Sequence, residues 1–267
     1  MHTMAHPSTL KFAAAFLLVA GVALAQKPTP PPVDPNLPAR LKELKDLVKD
    51  KDMTGDFQAI GLMQNLTKDL EKKNPKDKTK IVRALEGVFK TGKVRTGGKA
   101  ILYRETSDAL AKFETDGAKP ILKAVEHKRF KDDIALQAHM LLALGKTKDV
   151  KQIDYLLEVT TRSPHDELRA ASGEALSNFK HAKVKMQREI VKEIIKTWGS
   201  LESKANQAVS NDPNGPQDFG PQNARATLRV TQGKWVGTLQ KLTGLSQSKF
   251  MDWQRWQNKN KNWEPPK

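Results

Sequence analysis

The sequence predicts an all-α protein, a right-handed α-α superhelix in which antiparallel helix pairs stack side by side. Three observations lead to this prediction. Apolar residues recur at helical spacing in eleven successive segments after residue 38. No stretch of four or more residues alternates between apolar and polar as a half-buried strand would. The dipeptide Ala-Leu recurs at 109–110, 143–144 and 175–176, which indicates a repeated structural unit.

The first 25 residues have the pattern of a secretory signal peptide. Lys11 precedes an apolar run from Phe12 to Ala25, and this segment contains no acidic residue. We therefore predict export to the periplasm or the outside of the cell, with cleavage after Ala25. The alternative is an uncleaved anchor, although about 14 apolar residues are fewer than the ~20 that span a bilayer as a helix. No membrane span is expected after removal of the signal.

Composition limits the classes of protein that this chain can belong to. The 267 residues include 38% hydrophobic residues, enough for a core, and no cysteine. The absence of cysteine excludes disulfide frameworks, thiolate zinc sites and cysteine nucleophiles. The predicted segments are a signal peptide at 1–25, a proline-rich spacer at 26–38, helical repeats at 39–205, a loop at 206–222 and a tryptophan-rich helical cap at 223–267.

The first five helices follow from apolar stripes and one strong start signal. Leu41, Leu44 and Val48 form the stripe of the first helix. Asn74 and Pro75 predict the start of the third, because asparagine caps a backbone N–H and proline needs no donor at the first helical position. The predicted ranges are 38–50, 56–73, 76–90, 99–113 and 118–128.

The remaining six helices begin at similar signals. Asp133 and Asp149 can cap the sixth and seventh helices by accepting backbone N–H groups. Ser163 and Pro164 place a capping residue and a proline at the start of the eighth. The predicted ranges are 134–145, 150–161, 165–180, 184–204, 223–242 and 248–260.

Each Ala-Leu dipeptide ends a helix that begins with an aliphatic residue, at Leu102, Leu136 and Leu168. A short polar turn and a second helix with its own aliphatic stripe follow each of them, and a weaker fourth copy ends at Ala84-Leu85. Because a pair of helices cannot bury its apolar face alone, such pairs are expected to stack into a continuous core. We expect the second helices of the pairs to line a concave binding face.

The third copy of this unit resembles the first-helix signature of HEAT repeats. The residues that match are Asp166, Leu168, Arg169, Ala171, Ala175 and Leu176. Two other copies depart from the signature, with Gln137 and Tyr103 where arginine is usual. The resemblance covers roughly residues 76–200 and implies an armadillo-like solenoid in which the acid and the arginine have structural roles. The alternative is an irregular helical bundle.

Four of the five tryptophans lie after residue 230. A Leu-Thr-Gly turn at 242–244 followed by closely spaced tryptophans resembles a C-terminal segment of exported bacterial HEAT-repeat proteins. We interpret the segment as a cap that covers the end of the solenoid. The alternative is an exposed surface that stacks on sugars, with rings from Trp253, Trp256 and Trp263 and with the amides of Gln257, Asn258, Asn260 and Asn262.

Searches for catalytic and metal-binding motifs find none with the required spacing. In the segment 92–99, Gly97-Gly98 stands where a phosphate-binding loop needs Gly-Lys. The segment 211–215 is similar to a calcium loop, but Ser210 and Pro221 occupy its first and last ligand positions. No histidine after residue 25 has His, Asp or Glu at the i+3 or i+4 spacing of a metal site. A non-enzymatic protein without cofactors is therefore predicted.

Charge is the remaining indication of function. The chain carries 46 Lys+Arg against 30 Asp+Glu, a formal net charge of +16. We expect a protein partner of unknown identity, and the alternative is an acidic envelope polymer; nucleic acid is not expected as a partner after export. The candidate polyanion-binding residues are Lys90, Lys93, Arg95, Lys99, Lys183, Lys185, Arg188 and Lys192. The polyanion hypothesis requires these residues to gather on one face.

Overall fold

The protein is all-helical in the computed structural model, which describes residues 30–207 and 218–266. No strand occurs in these residues, and none of their helices combines the length and hydropathy needed to cross a membrane. The predicted signal peptide and the segment 211–215 lie outside the described residues. The helices are α1 (Leu37–Lys49), α2 (Asp56–Leu66), α3 (Pro75–Val88), α4 (Ile101–Ala111), α5 (Thr115–Val125), α6 (Ile134–Lys146), α7 (Ile153–Arg162), α8 (Asp166–Ala175), α9 (Val184–Ala205), α10 (Gly220–Thr243) and α11 (Phe250–Lys259).

Each of the eleven predicted helices is present, and three predicted caps are confirmed. The side chains of Asn74 and Asp133 accept backbone N–H groups at the starts of α3 and α6, and that of Asp149 accepts one at the start of a 3-10 turn, Val150–Gln152, that leads into α7. The cap at Ser163 is wrong, because α8 begins at Asp166 and has no side-chain cap. Helix α2 ends at Leu66, seven residues earlier than predicted; three residues later the backbone turns left-handed, which stops the helix.

The helices form two layers. Helices α2, α4, α6, α8 and α10 contact one another in series, and we call them the even layer. Helices α1, α3, α5, α7 and α9 form the odd layer, in which the step from α5 to α7 makes few contacts. Successive helices of one layer run in the same direction: Gly145 and Ala175 meet at the ends of α6 and α8, and His181 meets Lys148 at the starts of α9 and α7. The even layer is the more closely packed.

The helices that pair as hairpins differ from the pairs that the repeats predict. The sequence predicts pairs α4–α5, α6–α7 and α8–α9, but the extensive hairpin contacts are α5–α6, α7–α8 and α9–α10. In each of these hairpins a side chain near the start of the even helix donates to a carbonyl at the end of the odd helix. The donors are Gln137, Arg169 and Arg225, and the acceptors are the carbonyls of Val125, Thr160 and Ala205. These bonds satisfy carbonyls that a helix end leaves unpaired.

The three strong copies of the Ala-Leu unit occupy equivalent positions. Leu102, Leu136 and Leu168 are buried near the starts of α4, α6 and α8, and their Ala-Leu dipeptides are buried at the ends. The predicted fourth copy, Ala84-Leu85, is wrong as a member of this series, because it lies on α3 in the odd layer. A dipeptide of small and apolar residues does not by itself distinguish the two layers.

Two glycines allow the even-layer helices to approach closely. A Cβ on Gly145 would lie 2.6 Å from the backbone oxygen of Ala175, so α6 and α8 touch through backbone atoms. A Cβ on Gly173 would collide with the indole of Trp235, which is wholly buried between α8 and α10. Thr238 on α10 also donates to the carbonyl of Gly173 over 2.7 Å. The second and third copies of the repeat, on α6 and α8, and helix α10 therefore share one close-packed layer.

The C-terminal segment belongs to the stack and ends it. The described residues from Pro31 onward form one compact unit, and α10 continues the even layer. Helix α11 then folds back antiparallel to α9: Phe250 packs on Trp198 near the end of α9, while Arg188 near its start donates to the carbonyls of Asn262 and Trp263. The arrangement agrees with a cap at the end of the solenoid.

Substituting Gly145 tests the close contact between α6 and α8. We expect Gly145→Ala to lower the free energy of unfolding by about 1–3 kcal/mol, because the new methyl group must displace the backbone at Ala175. Urea unfolding followed by circular dichroism measures the change.

Gly233→Ala on α10 is the matched control, because nothing lies within 4 Å of its added Cβ. It should raise the free energy of unfolding by about 0.5–1 kcal/mol. Equal effects of the two substitutions would contradict the proposed close approach.

Candidate functional site

Arg95, a predicted polyanion-binding residue, is a buried structural residue. Only 1% of it is exposed, and its guanidinium makes a two-pronged ion pair with Asp56, with N–O distances of 2.6 and 2.9 Å. It also donates to the carbonyl of Val48 at the end of α1. The hydrogen bond to Asp56 raises the pKa of Arg95. This interpretation corrects the one from sequence, because a wholly buried side chain offers no charge to a polymer.

Several other predicted basic residues have partners within the fold. The Nζ of Lys90 lies 2.7 Å from a carboxylate oxygen of Glu86, and the Nζ of Lys192 lies 3.5 Å from one of Glu189. Arg188 donates to the carbonyl of Trp263 in the segment after α11. The predicted residues that are exposed and make no ion pair with another described residue are Lys93, Lys99, Lys183 and Lys185. The available positive charge is thus smaller than the sequence suggests.

The two basic clusters lie at opposite edges of the stack. Lys90 and Lys93 lie at the C-terminal end of α3, whereas Lys183 and Lys185 lie at the N-terminal end of α9. Because odd-layer helices run in the same direction, these two ends face opposite ways. Helices α5 and α7 also separate α3 from α9 within the layer. The structure therefore does not bring the clusters together on one face.

The predicted stacking surface is only partly available. Trp253 is wholly buried and packs edge-on against Trp256, so its ring cannot stack on a ligand, which corrects that prediction. Trp256 and Trp263 are half-buried, with ring centroids 5.7 Å apart. Asn260 donates to the carbonyl of Trp256 and so stabilises the end of α11.

A groove of about 800 Å³ lies between α9 and α11, with one wall from α10. Five of its thirteen lining residues carry side-chain amides, and Phe250 and Met251 provide apolar surface. The lining residues are Ile195, Lys196, Gly199, Glu202, Ser203, Asn206, Gln232, Lys249, Phe250, Met251, Gln254, Gln257 and Asn258. The groove lies where α11 folds back along α9.

The outward surface of the even layer carries paired charges and exposed apolar residues. Asp108 on α4 accepts from His139 over 2.8 Å and from Lys146 over 2.7 Å, both on α6. Burial raises the pKa of Asp108, but the two hydrogen bonds outweigh burial and lower the pKa from 3.8 to about 2. On the same surface Lys234 of α10 lies 2.8 Å from Glu174 of α8. Ion pairs therefore link successive helices across this surface.

The described residues contain no group of three or more His, Cys, Asp or Glu side chains that could hold a metal ion. Three histidines make local contacts instead. His127 accepts the backbone N–H of Arg129, His139 meets Asp108, and His181 meets the carbonyl of Lys148. Each of these histidines therefore has a hydrogen-bond partner within the fold.

Sequence reasoning missed the groove and the Asp108 cluster. Gln232 and Gln254 carry no motif, and their proximity depends on the fold-back of α11. The Asp108 cluster had one usable signal: Asp108 lies one residue and His139 four residues before the Ala-Leu dipeptide of its own repeat helix, so the two positions lie about one turn apart on the same helix face. Repeats that stack in parallel bring such positions close together.

Comparisons with family models, with curated proteins and with solved structures find no match to this chain.

The low pKa of Asp108 predicts a pH-dependent contribution to stability. Because the fold lowers the pKa of Asp108, its ionised carboxylate stabilises the fold above about pH 4. This stabilisation is lost as the pH falls toward 2 and the carboxylate is protonated. We expect Asp108→Asn to lower the free energy of unfolding by about 1 kcal/mol at pH 7, after allowance for partial exposure, and by little near pH 2. Urea midpoints at several pH values measure this difference.

Asp132→Asn, at an exposed carboxylate before α6, is the control and should change stability by less than about 0.5 kcal/mol. An effect of Asp108→Asn that stays constant from pH 7 to pH 2 would contradict the assignment.

Proposed function

We propose that this protein is an exported, non-enzymatic scaffold of the HEAT-repeat type that binds a partner protein. The proposal rests on the outward surface of the even layer, which extends over five parallel helices. It replaces the sequence-based expectation that the second helices of the pairs, α5, α7 and α9, line the binding face, because the step from α5 to α7 makes few contacts. Extended surfaces of this kind are what stacked helical repeats offer to partners.

The chemistry of this surface suits a protein better than a polyanion. Phe57 on α2 is 77% exposed, and Ile101 at the start of the neighbouring α4 and Val230 on α10 are also exposed. Ile101 shares a helix face with Asp108, and Val230 shares one with Lys234. Protein interfaces combine apolar contact residues with a polar rim, and the exposed apolar residues and the charged pairs of this surface could supply these two parts. The basic clusters, in contrast, lie at opposite edges.

A second candidate function, the binding of glycans or anionic polymers, is favoured by a different observation. The groove between α9 and α11 is rich in amides, and Trp256 and Trp263 lie partly exposed at the same end of the stack. Amides bond to hydroxyl groups and aromatic rings stack on sugar rings. This function would use a separate part of the molecule.

Site-specific photo-crosslinking tests the scaffold proposal. A photoreactive amino acid at position 57 or 230 should capture a discrete partner from cells that produce the protein, and one at the exposed odd-layer position 83 should not. The captured partner is then purified and its affinity measured. We expect Phe57→Ser with Ile101→Ser to raise its Kd about tenfold or more.

Met251→Ser is the matched control, since Met251 is an exposed apolar residue on α11, outside the even layer. It should leave the partner's Kd unchanged. Binding should also persist at about 0.5 M salt, where attraction to a polyanion is largely lost. Equal crosslinking from both layers, or full loss at high salt, would overturn the proposal.

A further inference from the structure

The groove between α9 and α11 has the lining of a sugar-binding site. We propose that it binds an oligosaccharide of uncharged sugar units. The inference deepens the second candidate function by giving it a site and a ligand class. It does not depend on partner binding by the even layer.

An array of amides forms the polar part of the groove. Gln254, Gln257 and Asn258 stand at i, i+3 and i+4 on one face of α11, and Gln232 approaches from α10. None of these four side chains makes a hydrogen bond to another described residue. Each amide offers both donors and an acceptor. A sugar hydroxyl also donates and accepts, so this array matches a ligand with many hydroxyl groups.

The floor of the groove is apolar and held in place. The ring of Phe250 packs on Trp198, with centroids 5.6 Å apart. A Cβ on Gly199 would lie 2.8 Å from Phe250, so the glycine lets the ring approach α9. Met251, beside it, is more than half exposed. The C–H face of a sugar ring can pack on this surface while its hydroxyls meet the amides.

The charges at the groove are largely balanced, which favours an uncharged ligand. Glu202 accepts the indole N–H of Trp198 over 3.0 Å, and Lys196 lies 3.5 Å from Glu193. Lys249 is the further cation in the lining. An acidic polymer would therefore find one uncompensated lysine here, too little for strong electrostatic attraction.

The proportions of the lining favour a sugar over an extended peptide. Of the thirteen lining residues, five carry amides, three are charged, three have apolar side chains, and the others are a serine and a glycine. Peptide recognition usually depends on apolar anchor residues buried in pockets. The volume of about 800 Å³ lies in the range of sites for small ligands and can hold several sugar units.

Titrations with neutral hexasaccharides test the inference. The probes are the β-1,4-glucose, α-1,4-glucose and N-acetylglucosamine hexamers, added to the isotope-labelled protein and followed by NMR and calorimetry. At least one should bind and shift the resonances of Gln232, Gln254 and Asn258. We expect Gln254→Ala with Gln257→Ala to raise the Kd of that sugar about tenfold.

The control variant is Gln64→Ala with Asn65→Ala, two amides on α2 at the other end of the stack, which should leave the Kd unchanged. Three results would overturn the inference: no binding by any hexamer at about 10 mM, undiminished binding in the Gln254/Gln257 variant, or preferential binding of a neutral decapeptide in the groove. Partner capture from position 57 is unaffected by each of these results, so failure here is distinguishable from failure of the scaffold proposal.

Discussion

Backbone contact between α6 and α8, and between α8 and the indole of Trp235 on α10, determines the spacing of the even layer. The first contact requires glycine at 145 and the second requires glycine at 173, because any larger residue would separate the helices. In the odd layer the described glycines with such close contacts, Gly117 on α5 and Gly199 on α9, face α4 and α11 rather than another odd-layer helix, and the odd layer is less closely packed. The close layer sets the positions of Asp108, Lys146 and Lys234, and hence the outward surface that we assign to partner binding.

Three side-chain donors near the starts of even-layer helices explain why each odd helix pairs with the even helix that follows it. Gln137, Arg169 and Arg225 each bond to a carbonyl at the end of the preceding odd helix, so that helix and the following even helix form one unit. Arg169 is half-buried, and burial lowers the pKa of its guanidinium. Where the repeat has Tyr103, Arg129 bonds to its hydroxyl and to the carbonyl of Gly92.

Apolar spacing and capping residues predicted all eleven helices and the equivalence of Leu102, Leu136 and Leu168. They did not predict which consecutive helices form hairpins, because the spacing of apolar residues along one helix does not show which neighbouring helix that face contacts. Arg95 was misinterpreted because its ion-pair partner, Asp56, lies 39 residues earlier. The groove could not be predicted, because it depends on the fold-back of α11 against Gly199, and no local pattern of residues encodes that contact.

Distances across the even layer test the account most directly. The chain contains no cysteine, so spin labels can be placed at single chosen positions. Lys112, Lys146 and Lys241 lie at the C-terminal ends of α4, α6 and α10. With about 10 Å between neighbouring helices, pulsed electron paramagnetic resonance should give about 20 Å for 146–241 and about 30 Å for 112–241, before allowance for label length. Equal distances, or a shorter distance for 112–241, would contradict a single continuous layer.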